Sequence, residues 1–191
     1  MPEHTPDIEH LITDNEILQT FREAERKEIA FTRLVKRDQK KIYWFIRRMV
    51  IDHDDANDLV QETFIRAWNS LAGFRGESKL VYWLYRIATN VTLTFLDHKK
   101  RKGLLPMPEQ STELMNKLHT GNFINGNDIQ LQLQEAILTL PEKQRLVFQL
   151  RYYDEIPYEE MSGMLDTSVG ALKASFHHAV KKVEQYMLDH Q

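Results

Sequence analysis

Phe31, Leu34, Val35, Ile42, Phe45, Ile46, Met49 and Val50 form an apolar stripe at helical spacing, and His53 to Asp55 breaks it. Ala56, Leu59, Val60, Thr63, Phe64, Ala67, Trp68 and Leu71 then follow spacings of three and one in strict alternation, the strongest amphipathic signal in the chain. Asp55 is placed to cap this second helix. Gly73 to Ser78 is a loop punctuated by two glycines, with Ser78 a candidate N-cap for a third helix. That helix carries Leu80, Trp83, Leu84, Ile87, Ala88, Val91 and Phe95 inward and ends in the basic run His98 to Lys102.

Between 103 and about 127 the periodicity stops and Pro106, Pro108, Gly121 and Gly126 mark a linker. Beyond it Leu131, Leu133, Ala136, Ile137 and Leu140 begin a second helical unit. Pro141 suits the first turn of a helix reaching about Tyr152, and Pro157 opens a short helix bearing Met161, Met164 and Leu165. After the turn Asp166 to Ser168, with Ser168 as cap, a last helix places Val169, Leu172, Phe176, Ala179, Val180, Val183 and Met187 on one stripe. Two helices joined by so short a turn form a helix-turn-helix, whose second helix enters the DNA major groove. The expected architecture is all-α: residues 1–28 an acidic lead-in or short helix, 29–102 one small helical domain, 103–130 a linker and 131–191 a second domain.

Composition narrows the function. The 191 residues include no Cys, which removes disulfides and Cys-based metal sites and suits a reducing compartment. The N-terminus lacks the pattern of a signal peptide, and no stretch is apolar enough for a membrane span, so a cytoplasmic protein without membrane insertion is expected. A net charge of −3 hides segregated blocks: residues 1–28 carry −5, 31–51 carry +6, 52–66 carry −4 and 73–102 carry +5. Such blocks suggest one surface for a polyanion and another, acidic, for a different partner.

Two stretches resemble a known family. DANDLVQETFIRAWNSLAGFRGES (Asp55 to Ser78) with WLYRIATN (Trp83 to Asn90) looks like the second region of extracytoplasmic-function (ECF) sigma factors of RNA polymerase, and Leu140 to Tyr186 resembles their fourth region. The resemblance implies a two-domain sigma factor: a region 2 bundle for polymerase docking, minus-ten recognition and melting, and a region 4 helix-turn-helix for the minus-thirty-five element. Asp58, Gln61 and Glu62, off the stripe of the second helix, match the motif that docks on the clamp helices of the largest polymerase subunit. Phe74, Arg75, Lys79, Tyr82, Arg86 and Asn90, with Lys99, Lys100 and Arg101, would face promoter DNA. Cations there hold phosphates, and aromatic faces accept an unstacked base of the non-template strand. In the second domain Tyr158, Ser168, Gly170, Lys173, Ala174, His177, His178 and Lys181 are the groove-facing candidates. Many relatives show Arg where this chain has Ser175 and His178, and Gly where it has Asp166.

The resemblance also implies an anti-sigma factor as a partner. No cofactor is expected. The eight His contain no HExxH pattern, and His177 and His178, as helix neighbours, point about 100° apart rather than forming an i, i+4 ligand pair. Without a Gly-rich phosphate loop or a GxSxG motif, no catalytic or metal residue stands out. The rival reading, a helix-turn-helix regulator acting on its own, accounts for residues 140–188 and leaves the Asp55 to Asn90 motif unexplained.

Overall fold

The computed structural model describes residues 12–103 and 128–190, so most of the stretch read as a linker lies outside the described residues. Among the described residues there are eight α-helices and no strand: α1 Asp14–Arg22, α2 Lys27–Val50, α3 His53–Ser70, α4 Leu80–Arg101, α5 Asp128–Leu138, α6 Glu142–Tyr152, α7 Tyr158–Leu165 and α8 Val169–Asp189.

The first unit packs α2, α3 and α4 through the stripes read from the sequence. Ile42, Phe45, Ile46, Leu80, Leu84 and Ala88 lie wholly inside. The acidic lead-in joins this core. Thr13 and Glu16 form a capping box that starts α1, with Thr13 N–H donating to Glu16 Oε2 at 2.7 Å. α1 then buries Ile17 and Phe21, and Phe21 meets the Trp68 ring edge-on at 5.6 Å.

Two helix starts differ from expectation. α3 is capped by Asp52, whose carboxylate accepts from the Asp54 and Asp55 N–H groups, because α2 has already ended at Ile51 in the left-handed conformation (φ 65°). A buried β-branched residue held there costs on the order of 1–3 kcal/mol, which the surrounding core must offset. At α4 the Ser78 hydroxyl does not reach the free N–H groups. Asp14 does: its Oδ2 accepts from Leu80 N–H at 2.8 Å across 66 residues of sequence. The other oxygen of Asp14 pairs with Arg37 at 2.8 Å, and Arg37 also holds the buried Asp38 at 2.8 Å. One polar chain thereby ties α1, α2 and α4.

The second unit has a smaller core of Ala136, Ile137, Leu140, Phe148, Ala179 and Val183. α7 ends at Asp166 in the left-handed conformation (φ 48°), a region that Asp tolerates better than most residues. Ser168 caps α8, its hydroxyl oxygen accepting from Ala171 N–H at 3.3 Å. The two units also pack on one another. Leu146, Val147, Leu150, Ile156, Met161, Met164 and Leu172 belong to the same buried cluster as the interior of α1 to α4.

Candidate nucleic-acid interface

α4 projects Lys79, Tyr82, Arg86 and Asn90 along one face, since steps of three and four return to the same side of a helix. Lys79, Arg86 and Asn90 are exposed and Tyr82 is half-buried. The Lys79 ammonium lies 5.8 Å from the Tyr82 ring centroid. The preceding loop leans on the same helix: Phe74 packs against Trp83 at 5.4 Å, and Gly76 (φ 76°) provides the turn. Arg75 and Glu77 extend into solvent, their side chains 84% and 79% exposed and 3.9 Å apart, a pairing too open to hold Arg75 in place. The result is a shelf of rings bordered by cations.

The basic end of α4 is divided. Lys99 bonds Asp55 of α3 at 2.5 Å and lies over the Phe95 ring, and Lys100 pairs with Glu142 of α6. Arg101 remains exposed. Two of the three candidates in the run are therefore engaged inside the molecule, a consequence of α3 and α6 passing beside the end of α4.

On α8 the outward residues Gly170, Lys173, Ala174, His177, His178 and Lys181 are all exposed, as the stripe implies. Tyr158, at the start of α7, is half-buried against Phe176, with Arg151 at 5.2 Å and Lys173 at 5.7 Å from its ring centroid, so both cations flank its ring. Ser168 spends its oxygen on the helix cap, which leaves its O–H free to donate to a phosphate.

α3 carries the acidic face. Asp58 and Gln61 are exposed, while Glu62 holds Arg66 at 2.7 Å in a surface pair worth about 0.3–0.5 kcal/mol. Ile65, 56% exposed, lies in the same row, an apolar residue that the sequence reading left out. Its signal was an isoleucine lying off the stripe.

Three further residues went unnoticed in sequence: Arg48, Tyr85 and Asp154. Arg48 holds Asp154 at 2.8 Å, and the Tyr85 hydroxyl donates to the same carboxylate at 2.9 Å. Burial pushes the Asp154 carboxyl above its ordinary range, with the Arg48 charge opposing, and burial likewise pushes the Tyr85 hydroxyl up. Arg48 also lies 4.5 Å over the Tyr153 ring, whose hydroxyl is raised to about 12 by burial.

Among the described residues no three His, Asp or Glu side chains converge as metal ligands, and no helix is long and apolar enough to cross a membrane.

Comparison with known proteins gives these faces a setting. The family model for Sigma-70 region 2 matches residues 34–102, and that for Sigma-70, region 4 matches residues 130–183. The ECF RNA polymerase sigma-E factor of Escherichia coli is 31% identical over 188 residues, covering 91% of this chain and 93% of its own. SigW, an ECF RNA polymerase sigma factor of Bacillus subtilis, is 30% identical over 168 residues, covering 84% and 90%. In fold the chain is similar to CnrH in its complex with the cytosolic domain of CnrY, with a TM-score of 0.67, 22% identity, and 93% and 98% of the two chains covered. It is also similar to the sigma factor RpoE in complex with the anti-sigma factor NepR from Bartonella quintana, with a TM-score of 0.63, 19% identity, and 82% and 96% covered. Two region models matched in order, and a relative above 30% identity across 91% of the chain, make this protein a member of the ECF RNA polymerase sigma factors.

Proposed function

We propose that this chain, an alternative sigma factor that directs core RNA polymerase to a subset of promoters, divides its work among three faces. The acidic row of α3, Asp58, Gln61 and Glu62 with Ile65, docks on the clamp helices of the largest polymerase subunit. The shelf of α4 and its loop, with Phe74, Arg75, Lys79, Tyr82, Arg86 and Asn90, reads the minus-ten element and holds a base displaced from the non-template strand. Lys99, Lys100 and Arg101 add phosphate contacts, the first two once their internal partners release them. The outer face of α8, Gly170, Lys173, Ala174, His177, His178 and Lys181, with Ser168 at the turn and Tyr158 at the start of α7, takes the minus-thirty-five duplex. Small residues there permit close approach to the groove floor.

The observation that carries this reading is the union of ring faces and cations on one side of α4, because it suits single-stranded DNA, whereas α8 offers only small residues, cations and imidazoles suited to duplex. Strand separation by binding needs no covalent chemistry: contacts to the displaced strand offset the few kcal/mol of unstacking. The protein therefore works in the cytoplasm as a binding factor, without enzymatic activity or cofactor, and is held in check by an anti-sigma factor. That last role is supported by the anti-sigma complex of the structurally similar RpoE.

The test is assembly with core enzyme. Asp58→Lys with Glu62→Lys should reduce pull-down of core polymerase by at least about tenfold, a loss of about 1.4 kcal/mol, with circular dichroism unchanged since both side chains lie outside the core. Undiminished binding by the folded double variant would remove the docking role from α3.

A further inference from the structure

The outward row of α8 holds two kinds of hydrogen-bonding side chain. Gly170 and Ala174 carry no polar side-chain atom, and Lys173 and Lys181 end in ammonium groups, which donate only. His177 and His178 are the planar groups in the row that both donate and accept. Both are exposed, and their ring centroids stand 6.0 Å apart with the planes tilted at 55°. Neighbours on a helix point about 100° apart, so the rings lie on opposite sides of the line through Gly170, Ala174 and Lys181. The small residues before them let that line approach a groove floor, with one imidazole to each side.

Nothing in the described part of the molecule engages these rings. Among the described residues no hydrogen bond or ion pair reaches either one. Lys173 and Lys181 lie one turn to either side of His177, while Lys182, one turn past His178, bonds Gln144 of α6 at 3.0 Å. The first acid on the helix is Glu184. From the helices packed against α8, Tyr158 of α7 meets Phe176 and Arg151 of α6 lies over the Tyr158 ring, whereas Glu135 of α5 accepts from Tyr186, two turns further on. These contacts set no carboxylate against either imidazole, so a DNA phosphate is the anion to which an imidazolium here would turn.

Imidazole is the side chain whose charge changes between about pH 5 and pH 8. Neutral, it has one donor and one acceptor; protonated, it donates from both nitrogens. The major-groove edge of guanine presents two acceptors, N7 and O6, which match the protonated ring, and nearby phosphates favour the charged form. Binding through these rings therefore takes up protons. A group more readily protonated on DNA than in the free chain strengthens binding as pH falls, and the gain ends once the free ring is itself protonated.

We infer that His177 and His178 are the base-choosing pair of α8 and make the minus-thirty-five contact proton-dependent, held more tightly and with a stronger demand for guanine at lower pH. The inference rests on the reading of α8 given above and adds to it the specificity of that face and its regulation.

The test compares holoenzymes made with one preparation of core polymerase, so that the pH response of the core enzyme is common to all. Affinity is measured by fluorescence anisotropy on a promoter selected with the wild-type chain and on the same DNA with its minus-thirty-five element scrambled. The preference for the intact element should rise about tenfold from about pH 8 to about pH 6, and the salt slope should steepen by about 0.9 for each imidazolium that neutralises a phosphate. His177→Gln with His178→Gln replaces two exposed rings by neutral side chains that suit a helix, and should abolish the rise. His177→Lys with His178→Lys keeps the charge at every pH of the series, and should make the preference independent of pH. Selection of minus-thirty-five sequences should enrich guanine at the lower pH with the wild-type chain and not with the glutamine variant. A wild-type preference that stays constant with pH, or one that rises equally in the glutamine variant, would overturn the proton dependence. The same bases selected at both pH values would remove the pair from base choice. The placement of α8 is judged separately: if neither Lys173→Ala nor the glutamine variant alters the preference for the intact element at any pH, α8 does not read the duplex, and the assignment of that face fails as well.

Discussion

The helices α4 and α8 present the two candidate DNA faces, and they are held in place in opposite ways. α8 is capped from within its own turn by Ser168, and its Ala179 and Val183 belong to a small core with Ala136, Ile137, Leu140 and Phe148. α4 takes its cap from Asp14 of α1, through a carboxylate that Arg37 also grips, and its Tyr85 lies against Phe45, the largest of the fully buried side chains among the described residues. The contrast suits their tasks. A helix that seats in an undistorted groove tolerates local, modest anchoring, whereas one that must hold a displaced base benefits from a support fixed on several sides, because the strand's restacking energy pulls against it.

The contrast predicts a graded series of effects. The largest belongs to the core under α4: Phe45→Ala should cost about 3–5 kcal/mol in denaturant unfolding, since the ring is wholly buried and meets Tyr85 at 5.3 Å. A cost below about 1 kcal/mol would mean that α4 is not braced as described. Asp14→Ala should follow at about 1–3 kcal/mol, because it leaves the Leu80 N–H and part of the Arg37 guanidinium unpaired. Replacing Arg37 as well leaves the Leu80 N–H unpaired and takes the cation from buried Asp38, so the double variant should be less stable than either single one, and a double-mutant cycle isolates the Asp14–Arg37 coupling alone. Lys173→Ala should cost about 1–3 kcal/mol of discrimination among minus-thirty-five sequences, read by selection from a random library, if its ammonium reaches a base edge. Ser168→Ala should remove about 1 kcal/mol, confined to the second unit. Smallest of all, Lys182→Ala, more than two turns beyond the groove-facing start of α8, should weaken every promoter alike and lower the salt slope by about one phosphate contact. Lys182 already bonds Gln144 at 3.0 Å, so a sequence-dependent effect there would place the groove contact further along α8.

How much of this was legible in the sequence follows the range of each interaction. The stripes of α2, α3, α4 and α8 were readable because burial on a helix repeats every three to four residues, and Ser168 was readable because a cap acts within one turn. Asp14 was not: nothing local marks an acid that will cap a helix 66 residues away, so residues 14–22 looked like part of a lead-in. The outward faces of α3, α4 and α8 came from subtracting the stripe. That subtraction fails where an outward face meets a second body, as at Tyr85, which is 3% exposed though it lies off the stripe. Arg48 and Asp154 are charged residues whose burial depends on the packing of one unit against the other, and periodicity carries no information on that. Lys99 and Lys100 were read from a charge run, which shows how many cations are present and not which of them already have partners.

The measurement that tests the central claim most directly is reconstitution of the full chain with core RNA polymerase on a library of random promoters, sequencing the templates that yield transcripts. The division of labour between α4 and α8 predicts transcripts from templates sharing two separated blocks of preferred sequence, with Tyr82→Ala or Arg86→Ala erasing the downstream block and permanganate-detected opening while sparing the upstream one. Transcription no better than that of core enzyme alone, or selection of a single duplex element that the chain binds equally well without polymerase, would contradict it.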